Sequence, residues 1–210
     1  ATAFDINAAC AGFLFGLSIV DAYFYAGRAK TALIIGAEVL SKMMDWADRS
    51  TCVLFGDGAG AAVVRKEEGG ILSIVQGSDG GRGMALTCHN RPVNNPFVRA
   101  DNTLDYTKMD GQAVFRFAVK TVPEAIRQAL AKAGCEADEI KYFILHQANI
   151  RIIEAVAKKL GQPDEKFPTN LQKCGNISAA SVPILLDHVN RAGMLEKGDK
   201  IVAAGFGAGL

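Results

Sequence analysis

One segment restricts the fold more than any other. Residues 10–26, CAGFLFGLSIVDAYFYA, read as a helix that is apolar on nearly every side and is stopped by Gly27. A helix without a polar face must be wrapped by other layers of structure. The run is interrupted by Gly12, Gly16, Ser18 and Asp21 and is shorter than the roughly 20 residues of a membrane span. It therefore belongs inside a layered globular fold. The opening run ATAFDIN has no basic region before it, so no secretory signal is expected.

The rest of the chain alternates strand-like and helix-like runs. Ala1 to Asn7 reads as a strand, and Thr31 to Leu40 as a strand buried on both faces. TCVLFGDGAGAAVV reads as two strands around a Gly-Asp-Gly turn, and GGILSIVQGSDG as another strand. Residues 77–109 read mostly as loop. Gly111–Lys120 and Pro123–Ala133 are expected to be two helices with a break near Thr121, because proline suits a first turn. IKYFILHQA is a buried strand, Asn149–Leu160 a helix stopped by Gly161, and Ser178–Ala192 a further helix. DKIVAAGFGAG closes as a strand entering a glycine turn. Such alternation predicts an α/β fold. The order small residues, buried helix, Gly, basic residue, buried strand, Gly runs from Cys10 to Gly36 and again from Ser178 to Gly205, which suggests a duplicated α/β unit.

Composition narrows the function classes. The 210 residues suit one large domain or two small ones; 50% are hydrophobic and 21% charged, with a formal net charge of +1. No field of one sign points to nucleic acid or an anionic membrane as the main partner. Five cysteines without a CxxC pair fit a reducing, cytoplasmic setting and no zinc site.

Three residues then stand out. GDGAGA, Gly56 to Ala61, has dinucleotide-like spacing but does not open a helix, so it reads as a tight turn with close backbone packing. His89 and His188 read as solvated or structural. His146 ends a buried strand just before a helix, where sites of α/β sheets gather. Cys10 and Asn176 stand at comparable junctions, although a buried cysteine and a helix-capping asparagine are their ordinary readings. A thiol, an imidazole and an amide together suggest nucleophilic catalysis on an acyl group.

DINAACAGFLFGL, DRSTCVLFGDGAGAAVV, LHQANIRII and GNISAASVP, in this order, resemble the β-ketoacyl-acyl-carrier-protein synthase III family, the initiating condensing enzymes of bacterial fatty-acid synthesis. The resemblance implies a thiolase-like duplicated αβαβα five-layer sandwich. The present chain would be partial, holding the end of the first half (residues 1–66) and most of the second (67–210). A full member would have roughly 100 more residues before the cysteine strand and a final strand after the glycine turn. The resemblance implies Cys10 as nucleophile with His146 and Asn176 completing a triad. It implies an oxyanion hole from the N–H groups of Cys10 and Ala208, where GFGAGL differs from the family's GFGGGF. Arg49, Gln112 and Asn149 would contact coenzyme A, Phe55 and Phe206 would line the acyl pocket, and Arg151, Lys158 and Lys159 would dock the carrier protein. Acyl-CoA, with acetyl-CoA expected, and malonyl-acyl-carrier protein would be the substrates. No metal or permanent cofactor is implied. A homodimer would form through the strand Ala1 to Asn7. Chalcone-synthase-like and other Cys-His-Asn condensing enzymes, or an inactive fragment, are the alternatives. A thiolate is expected at Cys10, favoured by the helix N-terminus and by His146.

Overall fold

The protein is described as a computed structural model covering residues 1–88, 95–97, 106–208 and 210. The chain order is α1 (Gly12–Tyr25), β1 (Thr31–Val39), β2 (Asp57–Arg65), β3 (Leu86–Thr87), β4 (Lys108–Met109), α2 (Gly111–Ala133), β5 (Tyr142–Leu145), α3 (Ile150–Leu160), α4 (Leu171–Cys174), α5 (Ser181–Arg191) and β6 (Ile201–Ala204). β1 and β2 are antiparallel, with Thr31 opposite Arg65 and Val39 opposite Asp57. β5 and β6 are parallel, with Tyr142 opposite Ile201 and Leu145 opposite Ala204.

Two apolar clusters organise these elements. The larger gathers Phe117, Ile126 and Leu130 of α2, Phe143 and Leu145 of β5, and Ile152, Ile153 and Val156 of α3. The smaller joins Phe13 of α1, Ile34 of β1, Ile144 of β5 and Val182, Leu185 and Val189 of α5. This second cluster brings the two expected copies of the α/β unit into contact. Burial of each such side chain contributes about 1.5–3 kcal/mol against exposure.

The duplication is written in the backbone. Ala9 has φ +44° and Ser178 has φ +46°, a conformation uncommon outside glycine. Each opens a 3-10 turn, Ala9–Ala11 and Ser178–Ala180, that runs directly into a helix, α1 or α5. Asparagine braces both turns: Asn7 Oδ1 accepts from the Ala9 N–H at 3.0 Å, and Asn176 Oδ1 from the Ser178 N–H at 2.9 Å. Past each helix lies a left-handed glycine, Gly27 at φ +68° and Gly193 at φ +70°.

Several expectations are corrected. Ala1–Asn7 and Ile71–Asp79 form no strand, because neither finds a ladder partner among the described residues and an extended run needs one. β1 is buried on one face only; Leu33 and Ile35 of its outer face, and Val63 opposite Leu33, are exposed. The Gly-Asp-Gly run is not a turn between two strands but the start of the single strand β2. Its close packing is real: a Cβ on Gly60 would lie 2.8 Å from the Ile184 nitrogen, so α5 presses on this face. α2 runs unbroken through Pro123, which is buried. Proline there withholds one N–H from the preceding turn, and the apolar contacts of Val122 and Ile126 on either side hold the helix together. His188 is exposed on α5, while His89 lies outside the described residues.

Candidate active site

Cys10 sits in the middle of the Ala9–Ala11 turn and is 5% exposed. Its position is enforced by Gly207, where an added Cβ would lie 2.9 Å from the Cys10 Sγ and 2.7 Å from its Cβ. The N–H groups of Cys10 and Ala208 and the Ser178 hydroxyl donate toward the sulfur. Ala208 lies outside the left-handed region, so the alanine adopts its conformation without strain and keeps its N–H on the sulfur.

The protonation expectation is overturned. Burial pushes the Cys10 thiol up to about 11; the Ser178 hydrogen bond opposes this and the Glu38 carboxylate adds to it. The start of α1 does favour a thiolate, but desolvation of a buried charge outweighs it.

His146 follows β5, and its backbone N–H donates to the Ala204 carbonyl at 2.7 Å, which fixes it at the open end of the parallel pair. The ring is buried and meets Phe206 edge-on, with centroids 5.3 Å apart. Burial pushes its pKa down to about 4, so the imidazole is neutral at pH 7. Nδ1 finds no partner among the described residues. A buried lone pair without a donor is tolerated better than a buried N–H without an acceptor, which favours the tautomer with its proton on Nε2.

Asn176 is buried and held by its backbone: its N–H donates to Leu54 at 2.9 Å and its carbonyl accepts from Gly56 at 2.9 Å. Because Oδ1 accepts from Ser178, the hydrogen-bond pattern assigns the amide orientation. The NH2 group is thereby left for other use.

Cys10, His146 and Asn176 line one cavity of about 520 Å³, together with Phe55, Gln112, Asn149, Arg151 and Phe206. Asn149 also caps α3, its Oδ1 accepting from the Arg151 N–H at 2.9 Å. Arg49 does not line this cavity, although Ser50 beside it does. Lys158 and Lys159 are exposed in the last turn of α3, away from the lining. A larger cavity of about 1040 Å³ lies between residues 69–79, α2 and β6 and contains none of the three candidate residues. Among the described residues no acidic, histidine or cysteine cluster could hold a metal.

Sequence reasoning missed Ser178, Glu38 and Gln147. Gln147 is fully buried; its Oε1 accepts from the Thr169 hydroxyl at 2.9 Å and the Asn170 N–H at 3.1 Å, tying the end of β5 to the segment before Asn176. Its place directly after His146 was the only available signal.

The same order of residues is found in known proteins. The family described as 3-oxoacyl-[acyl-carrier-protein (ACP)] synthase III matches residues 4–80, and its C-terminal family matches residues 130–210. This chain belongs to the synthase III family. Its sequence is 50% identical over 212 residues to the beta-ketoacyl-[acyl-carrier-protein] synthase III of Clostridium novyi, covering 100% of the chain and 65% of that protein. The solved synthase III of Aquifex aeolicus is 45% identical and superposes with a TM-score of 0.89, over 100% of this chain and 65% of that one. The Thermus thermophilus synthase III gives a TM-score of 0.91 at 41% identity, again over 100% of this chain and 65% of that one. The fold is thus the thiolase-like one of the synthase III enzymes, of which the chain spans about two thirds of the relatives' length.

Proposed function

We propose that the chain carries the acyl-transfer site of a synthase III condensing enzyme, joining an acyl-CoA, acetyl-CoA being the expected donor, to malonyl-acyl-carrier protein. The observation that carries this reading is the meeting of Cys10, His146 and Asn176 at one cavity. In the first half-reaction the Cys10 sulfur attacks the thioester carbonyl. The oxyanion faces the N–H groups of Cys10 and Ala208, which already point at the sulfur. Coenzyme A leaves, and the proton lost by Cys10 ends on the departing CoA sulfur, so the step needs no net proton.

In the second half-reaction malonyl thioester loses CO2 and its oxygen gains negative charge. The Nε2–H of a neutral His146 and the Asn176 amide donate to that oxygen. The carbanion attacks acyl-Cys10, and the expelled thiolate takes one proton from solvent, the proton that the overall condensation consumes, because its burial favours S–H.

Phe55 and Phe206 line the acyl end of the cavity; Gln112 and Asn149 meet the pantetheine arm, and exposed Arg49 the adenine. Arg151, Lys158 and Lys159 form the basic approach for the acidic carrier protein. Residues 1–66 and 67–210 act as the two halves, with the nucleophile on one and its partners on the other. Dimerisation through Ala1–Asn7, where Phe4 and Ile6 are exposed, completes the reading. A cytoplasmic setting is supported by five free thiols, and no described helix is long and apolar enough to cross a membrane. The chemistry needs no resident cofactor.

Intact-mass analysis after incubation with acetyl-CoA tests the proposal. One acetyl group is expected on the parent chain and none on Cys10→Ala. No adduct on the parent, under conditions that acylate the Clostridium novyi relative, would contradict it.

A further inference from the structure

The turn that carries Asn176 and Ser178 is held from an unexpected side. Glu38 Oε1 on β1 accepts the Ala179 N–H at 3.3 Å, across 141 residues of chain. Two residues earlier, on the same face of β1, a Cβ on Gly36 would lie 2.7 Å from the Ala179 carbonyl oxygen. β1 therefore grips both flanks of one residue, with bare glycine backbone at its carbonyl and a carboxylate at its N–H. The gripped residue follows Ser178, whose φ of +46° persists only where surrounding contacts over-determine it. Ser178 in turn donates toward the Cys10 sulfur, and its backbone orients the Asn176 amide.

We propose that Glu38 is a positioning residue: it fixes the Ser178–Ala179 turn across the junction of the two halves and sets the charge environment in which Cys10 works. This rests on Cys10 being the nucleophile. The groups that bear on the thiol are few. Glu38 reaches it from β1 and Ser178 from the turn before α5. His146 just after β5, Arg116 from α2 and Arg151 from α3 share its cavity. The negative charge of Glu38 opposes thiolate formation, while the Ser178 hydroxyl favours it. The two residues are linked through Ala179, so one carboxylate both places the favourable hydroxyl and offsets its effect.

The test is iodoacetamide modification of Cys10, followed by peptide mapping so that the other four cysteines are read separately. Glu38→Gln keeps an oxygen for the Ala179 N–H but removes the charge. At about pH 8, Cys10 in this variant should react measurably faster than in the parent, because the charge that opposes the thiolate is gone. Ser178→Ala should react more slowly than the parent. Glu38→Ala should lower the melting temperature below that of Glu38→Gln, because only alanine abandons the N–H. An unchanged Cys10 rate in Glu38→Gln, or equal melting of Glu38→Gln and Glu38→Ala, would overturn the assignment. Loss of folding in Glu38→Gln, read by circular dichroism, would overturn it as well, since the retained acceptor should hold the turn. A chain whose Cys10 responds as expected yet takes no acetyl group from acetyl-CoA would sink the acyl-transfer reading and leave the role of Glu38 standing.

Discussion

The two strained turns, Ala9–Ala11 and Ser178–Ala180, have one backbone and two uses. Both open on a non-glycine residue near φ +45°, both are braced by an asparagine two residues earlier, and both feed a helix, α1 or α5. In the first, the residue after the strained position is Cys10, facing the cavity. In the second, the same position is Ala179, gripped by Gly36 and Glu38. The bracing asparagines differ too, since Asn176 lines the cavity and Asn7 does not. In the proposed reading one copy presents the nucleophile, while the other is its support and supplies the amide. A shared geometry thus fixes where a side chain can be offered, and residue identity decides what is offered.

Substitutions can break this comparison at different strengths. The largest effect is expected from Gly207→Ala, whose methyl would intrude on Cys10. A misplacement of about 1 Å should slow Cys10 acylation by about a hundredfold, read as the rate of acyl-enzyme formation. Asn176→Ala should reduce condensation by about a hundredfold through a lost donor; single-turnover assays should find acylation of Cys10 reduced far less, as expected if the second turn serves the second half-reaction.

Acid stability offers a third route. The His146 pKa is lowered by burial from 6.5 to about 4 in the folded chain, so the unfolded chain protonates first. Stability is therefore present above pH 6.5 and is lost as pH falls toward 4. The loss should be on the order of 2 kcal/mol in the parent and should shrink in His146→Asn, measured by denaturant melts at pH 7 and pH 4.5, the latter near the low end of the window. The smallest effect is expected from glycine at the strained residue. Ala9→Gly relieves the positive φ but loosens the unfolded chain, and should shift stability by less than about 0.5 kcal/mol. Ala9→Val should cost about 2 kcal/mol, because a β-branched residue resists that conformation.

Much of this was legible in the sequence because it is local. α1, α3 and α5 announce themselves by apolar runs with stops at Gly27, Gly161 and Gly193. β5 and β6 are short apolar runs, and the Cys10, His146 and Asn176 junctions follow from them. What stayed hidden depends on partners distant in the chain. Ala1–Asn7 has strand-like residues but no neighbour to pair with among the described residues, and β1 has an open outer face. Glu38 and Ala179 are 141 residues apart, so no local pattern could join them. The Cys10 thiol was misjudged for the same reason: a helix start can be read from sequence, whereas burial of the sulfur depends on chain far from it, such as Gly207 packed against its side chain.

The central claim is that placement, not exposure, makes Cys10 the acyl acceptor. The chain supplies its own contest, with five free thiols of which Cys88 is exposed, Cys52 and Cys174 are half-buried, and Cys10 and Cys135 are buried. Incubating the parent chain with acetyl-CoA and mapping the acetylated peptides sets them against one another. The account predicts acetyl on Cys10 ahead of every other cysteine despite its burial. Acetylation that follows exposure, with Cys88 first and Cys10 unmodified, would contradict it.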